Sequence, residues 1–313
     1  MQALLICLSF AMTACSNDLS SAEDESGMSM CDININALID RVDAIGTRAG
    51  GDGTIPDGYC LRIILEFYAP NASGDYVDNA VLRKVTYTNS YDKNIVDGIR
   101  LPLNVRYKML AWADYVPVAD QANLKDCFYG TSSIKGLREV TQIVPDNNEL
   151  VKQAALGNDA DDAYCANCEV LTSARRVNWN ITLKRPLCKL SLQNVKFISN
   201  GSVYESVDNA RMHFDAPLYV AYDVMTGDAI QGGSNAAYSL YPVQAAANEG
   251  VNLHHYFFVP NDIPEGGLKY GITLEDGDLA FGIDPKLQIS IYSKNTSIVV
   301  SKQNGGTILF KKF

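Results

Sequence analysis

An all-β protein built of two antiparallel β-sandwiches is the fold class this sequence predicts. Three observations carry the prediction. Short runs place apolar residues at every second position. Polar turns rich in Gly, Asn and Asp separate many of them. Only two stretches, near Ile33 to Ile45 and Asn148 to Leu156, show helical spacing. A parallel α/β sheet needs helices alternating with its strands, and that alternation is missing.

The elements follow in chain order. Leu4 to Ala14 is an uncharged apolar run that ends at Met12-Thr13-Ala14-Cys15. A short apolar run closing in small residues at a cysteine reads as a lipoprotein signal peptide, residues 1–14, and is too short to span a bilayer. Cys15 then becomes the first mature residue and carries the lipid. No Lys or Arg precedes the run, and Met12 stands where such a box usually has Leu. A start placed too far downstream accounts for the first departure.

Residues 15–48 read as an acidic leader or tether. They hold seven acidic residues against Arg41 and Arg48, a net −5, half of the −10 carried by the whole chain. Such a segment stays solvated. Within it Ile33, Ile35, Ala37 and Ile39 alternate as a strand does, while Ile35, Leu38, Ile39 and Val42 fit a helix equally well. Ala49 to Gly53 reads as a flexible link.

Strands are expected over 60–69, 81–88, 104–116, 177–183, 188–197, 217–223, 254–259, 268–274, 287–292, 297–301 and 307–313. In the first, Leu61, Ile63, Leu65 and Phe67 mark the apolar face. A helix is expected over 148–156, with Asn147 or Asn148 as its cap. The boundary between two domains, 49–184 and 185–313, falls at Lys184-Arg185-Pro186, because proline cannot donate to a ladder and suits a link or a strand's first residue.

The composition excludes some functions. A net charge of −10 makes nucleic acid an unsuitable partner. No second apolar run is long enough for a transmembrane helix. No catalytic constellation stands out: there is no Gly-x-Ser-x-Gly elbow, no His-Glu-x-x-His and no phosphate-binding glycine loop. His254 and His255 are neighbours on an expected strand and so point to opposite faces, and His213 is isolated. Thus no catalytic residue, no metal ligand and no cofactor is assigned, and the reading is non-enzymatic.

Cys165-Ala166-Asn167-Cys168 is the best-spaced cysteine pair, but a zinc site wants a second pair or histidines. In an exported chain disulfides are the expected fate of such cysteines, with a loop placing them and 15 pairings open to six cysteines. Cys188 shares a face with Leu190 and Leu192 and reads as a buried thiol. Asp159-Ala160-Asp161-Asp162 resembles half a calcium loop without its Gly and distal Glu, so a solvated loop is the better reading. Trp112 and Trp179 read as core residues; exposed, either could stack on a sugar.

The order of features resembles a known family. A lipoprotein leader, a Thr47-Arg48-Ala49 step, a β-rich first domain and the strand Tyr107-Lys108-Met109-Leu110-Ala111-Trp112-Ala113-Asp114-Tyr115 are similar to the fimbrillin-type surface proteins of Bacteroidetes. The Trp-Ala-Asp strand is similar to one branch known only as a domain of unknown function. So are Leu183 to Leu190, with Cys188 where the branch often has Ala, then Tyr219 to Asp223, and His255 to Val259. The resemblance runs from Arg48 to about Leu274; Ile289 to Phe313 lacks the closing Val-Pro and Arg-Asn stretch.

This resemblance implies two transthyretin-like β-sandwich domains. It places the protein on the outer membrane, at the cell surface, by a lipid anchor. The implied role is fimbrial or adhesive, with other fimbrial subunits or a host or bacterial surface ligand as partners. In polymerising members a trypsin-like protease cuts after a leader Arg, removing the first strand so that a neighbour's strand fills the groove. Arg48, with Ala49 after it, is the matching position; an ordinary linker arginine is the other reading. A surface glycan-binding lipoprotein is the alternative function.

Overall fold

The computed structural model describes residues 27–37, 55–90, 94–119, 126–143, 160–195, 197–199, 202–204, 211–232, 237–239, 251–276, 279–280, 287–294, 297–303 and 307–311. They form strands and turns, with a 3-10 turn at Gly136–Arg138 and no α-helix among them. The expected helix over 148–156 lies outside these residues.

The ambiguity in the leader resolves as a strand. β1 (Met28–Ala37) lies between β4 (Asn94–Pro102) and β9 (Arg176–Leu183) in a three-stranded sheet. Facing it is a four-stranded sheet of β3 (Leu82–Thr88), β2 (Tyr59–Tyr68), β5 (Arg106–Pro117) and β8 (Ala163–Leu171), in that order. Leu61, Ile63, Leu65 and Phe67 all lie buried on one face of β2. There Phe67 meets the rings of Tyr107 and Trp179, with centroids 6.4 and 6.3 Å apart, so the two sheets share one core.

The other face of β2 is buried as well, although it carries Arg62 and Glu66. Residues 126–143 lie over it, with β6 (Tyr129–Gly130), the 3-10 turn and β7 (Val140–Gln142). Charge can be buried there because each charge is paired. Arg62 donates from Nε and Nη2 to both oxygens of Asp114, at 2.8 and 2.6 Å, and from Nη1 to Asp126 at 2.7 Å. Glu66 accepts from Arg83, from the Tyr68 hydroxyl at 2.6 Å and from the Leu137 N–H at 2.9 Å. Gly136 sits at φ +54°, and a Cβ there would run into the Glu66 carboxylate, so this turn requires glycine.

The second half repeats the pattern. β10 (Leu187–Val195) lies between β17 (Val251–Phe258) and β21 (Ser297–Gln303), with β22 (Thr307–Lys311) at the edge. A second sheet has β13 (Arg211–Phe214) between β16 (Ala237–Ser239) and β18 (Leu268–Asp276), and β18 also pairs with β19 (Leu279–Ala280) and β20 (Leu287–Ile291). Phe214, Phe257 and Tyr270 meet between these sheets at 6.0 to 6.2 Å. β11 (Phe197–Ser199) and β12 (Ser202–Tyr204) form a separate ribbon.

Two features refine the expectation. The sheets are antiparallel except where β1 runs parallel to β9 and β10 runs parallel to β21. In addition, β14 (Tyr219–Asp223) and β15 (Asp228–Gln231) extend the β6–β7 ribbon into one sheet of order β15-β14-β7-β6, joining the halves through main-chain hydrogen bonds. Beside it Trp112, Tyr129, Tyr222 and Phe258 stack across the junction, with ring centroids 5.2 to 6.3 Å apart. Lys184-Arg185-Pro186 connects β9 to β10 at the same place.

Candidate functional site

Cys15, Arg48 and Ala49 lie outside the described residues. The strand that ends ahead of Arg48 is described, and its seat is the first candidate site. β1 is bonded along both edges: antiparallel to β4, from Met28 opposite Pro102 to Ile35 opposite Asn94, and parallel to β9, from Met30 opposite Arg176 to Ala37 opposite Leu183. Its odd residues face inward, where Ser29, Cys31, Ile33 and Ile35 are buried. The Ser29 hydroxyl donates to the Ala174 carbonyl at 2.6 Å. The even residues face out: Asp32 accepts from Arg176 at 3.0 Å, and Asn34 donates to Asn180 at 2.9 Å. A bulge at Asp97-Gly98, with Gly98 at φ +67°, sets the register opposite Cys31 and Ile33.

Without β1, β4 and β9 face each other across two strand spacings, roughly 9–10 Å, with both edges unbonded and the apolar pockets open. Each buried isoleucine contributes about 1.5–3 kcal/mol. The two together reach a sizeable part of the ~5–15 kcal/mol that stabilises a typical domain.

The second candidate is a cleft of about 620 Å³ where the halves meet. β8, the β9–β10 connection, β14 and Lys294 wall it. The Lys294 ammonium donates to the Gly227 carbonyl at 2.8 Å, the Asn261 side-chain oxygen at 2.7 Å and the Tyr222 hydroxyl at 3.2 Å, and stands 5.0 Å from the Tyr222 ring centre. Burial lowers its pKa from the ordinary lysine value. Arg185 donates to both oxygens of Asp162, at 2.8 and 2.6 Å, and stands over the rings of Tyr164 and Tyr256.

Several expectations change here. Cys165 and Cys168 are on a strand, not a loop, and three residues along a strand put side chains on opposite faces. They can neither chelate one ion nor bridge each other. Cys31, Cys60, Cys127, Cys165, Cys168 and Cys188 are all free thiols, so the disulfides expected of an exported chain are not formed among the described residues. Burial pushes Cys165 and Cys188 up to about 12, against the pull of Tyr222 and Lys294 on the former and of Arg185 on the latter.

Asp162 is not in a solvated loop: it is 4% exposed and ion-paired to Arg185. Trp112 is fully buried, which removes it as a sugar-stacking platform, and Trp179 is half-buried against Phe67. His254 and His255 are adjacent on β17, and His213 is on β13. No group of three or more His, Cys, Asp or Glu side chains poised for a metal occurs among the described residues.

Sequence reasoning missed the Arg62–Asp114–Asp126 network. Its signal was two charged residues, Arg62 and Glu66, at even positions of an otherwise apolar strand. Burial raises the pKa of Asp126, but the hydrogen bond and charge of Arg62 and two bonds from Thr131 outweigh it and hold the carboxyl below its ordinary value.

A family model described as a family of unknown function (DUF6562) matches residues 28–273. A search of curated proteins finds no match. Among solved structures, candidate polysaccharide-binding proteins from Bacteroides thetaiotaomicron are similar at 10% identity and a TM-score of 0.47, covering 90% of this chain and 98% of that one. The fimbrial anchor protein Mfa2 from Porphyromonas gingivalis is similar at 9% identity and a TM-score of 0.46, covering 90% and 95%. A candidate cell adhesion protein from Bacteroides ovatus is similar at 16% identity and a TM-score of 0.45, covering 91% and 95%.

Proposed function

We propose that this chain, which belongs to the family of unknown function DUF6562, is a non-enzymatic surface protein of fimbrial or adhesive type whose first strand is replaceable. In this reading Cys15 carries the lipid that holds it to the outer membrane, and Arg48-Ala49 is the processing site. The observation that carries the reading is the position of β1. It precedes Arg48 in the chain, yet it is the middle strand of its sheet, paired on both edges with its apolar side chains in the core.

A cut at Arg48 separates β1 covalently from everything it packs against. Loss of β1 then opens a slot that only another strand fills well, because main-chain hydrogen bonds supply the affinity and alternate side chains fill the pockets. β4 and β9 run antiparallel to each other, since β1 opposes one and follows the other. A strand entering in either direction therefore finds one parallel and one antiparallel neighbour. Direction is set by the pockets at Cys31, Ile33 and Ile35, not by the ladder.

The test is cleavage of the folded full chain by a trypsin-like protease. The reading expects a new N-terminus at Ala49 and a product that forms higher oligomers on a sizing column with light scattering. A folded chain that resists cutting at Arg48, or a cut product that stays monomeric at high concentration, makes the protein a permanent anchor or tip protein instead.

A further inference from the structure

The cleft between the halves carries a chemistry of its own, independent of β1. Its lining holds three cationic residues, Lys184, Arg185 and Lys294, and no Asp or Glu, in a chain whose net charge is −10. Asp162 and Asp228 stand behind that lining: the first is bonded to Arg185, and the second accepts from the Ala229 and Asn261 N–H groups. Lys184 is exposed, and its ammonium meets no carboxylate among the described residues. A positive cleft in a negative protein draws in an anion.

The remaining lining narrows the kind of anion. Asn167, in the lining, donates its amide to the Val224 carbonyl at 2.7 Å, so its side-chain oxygen is left to accept. Asn261 accepts from Lys294 through its side-chain oxygen, which leaves its NH2 group as a donor. Ala166, Pro186 and Val224 supply apolar wall between these groups. Amide donors and acceptors suit hydroxyl groups, whereas cations suit a carboxylate. About 620 Å³ lies within the range of small-molecule sites, and such sites favour junctions between domains.

We propose that this cleft binds a small sugar acid, with the carboxylate held by Lys184 and attracted by the neighbouring charges of Arg185 and Lys294, and the hydroxyls held by Asn167 and Asn261. An incoming carboxylate also offsets the cost of keeping the Lys294 ammonium charged where it is buried.

Calorimetric titration of the uncut full chain with three probes tests this. Glucuronate carries both features, acetate only the carboxylate, glucose only the hydroxyls. Glucuronate is expected to bind at least about tenfold more tightly than either of the others. Lys184→Gln, an exposed substitution that leaves the fold intact, should weaken glucuronate about fivefold or more, and Lys294→Gln should do the same, while Trp179→Ala leaves it unchanged. Acetate binding as well as glucuronate reduces the cleft to an adventitious anion site. Glucose binding as well removes the role of the cations, and no binding of glucuronate at millimolar concentration overturns the proposal outright. None of these results bears on strand exchange, because β1 and Arg48 are left untouched.

Discussion

Replacing Ile33 by alanine is the most informative single perturbation of this fold. Ile33 is fully buried on β1, flanked on the same face by Cys31 and Ile35, opposite Val96 on β4 and beside Trp179 on β9. Neighbours bonded on both sides of the strand cannot collapse into the space left behind. An isoleucine-to-alanine change in such a core costs about 2–5 kcal/mol. In a unit of this size each kilocalorie lowers Tm by roughly 2–4 °C, so a mid-range loss of about 3 kcal/mol lowers it by roughly 6–12 °C. Thermal denaturation of the full chain, followed by near-ultraviolet circular dichroism, reads the change in midpoint. Asn34→Ala is the control, because Asn34 faces outward and bonds only to the exposed Asn180; its cost should stay within about 0.5–1 kcal/mol. If Ile33→Ala costs no more than Asn34→Ala, β1 is a loosely attached tail and the reasoning from its burial is refuted.

Asp114→Asn should destabilise the chain by about 3–5 kcal/mol in the same assay, because it leaves the buried Arg62 guanidinium without its principal counter-charge. Stability should also fall in acid through Asp126. Its folded pKa is lowered, so its contribution is fully present above the unfolded value of about 3.9 and is lost as pH falls through the lower folded value; replacing Asp126 by asparagine should flatten that limb of a stability-against-pH curve. Alkylation with iodoacetamide at mildly alkaline pH, read by mass spectrometry, should label Cys168 well before Cys165 and Cys188, whose thiols burial holds near 12. Cys15→Ser should move the protein from the membrane fraction to the soluble one; retention equal to wild type removes the lipid anchor from the account.

The strands that were legible in the sequence are those with strong alternation and clear turns. β2, β3, β5 and β9 fall within two residues of their expected ends. β1 was legible only as an ambiguity, since its isoleucines fit two periods and its acidic flanks argued for a tether; pairing on both edges decided it. β8 was missed because Cys165-Ala166-Asn167-Cys168 has the spacing of a metal motif and little alternation, and its burial comes from β5 on one side and the second half on the other. β6, β7 and β15 are too short to show any period and exist because β14 completes their sheet. The cleft had no local signal at all. Its residues come from Cys165 to Lys294, and only the junction of the halves brings them together.

Hydrogen exchange on β4 and β9, followed by mass spectrometry through cleavage at Arg48, shows whether β1 is a replaceable strand. In the intact chain the amides of 94–102 and 176–183 that bond to β1 should exchange slowly. In the cut product freed of β1 they should exchange fast while it is monomeric, and become slow again in the oligomer as a neighbour's strand occupies the slot. Amides that remain slow in a monomeric product from which β1 has left contradict the account, because the slot between β4 and β9 then needs no strand to fill it.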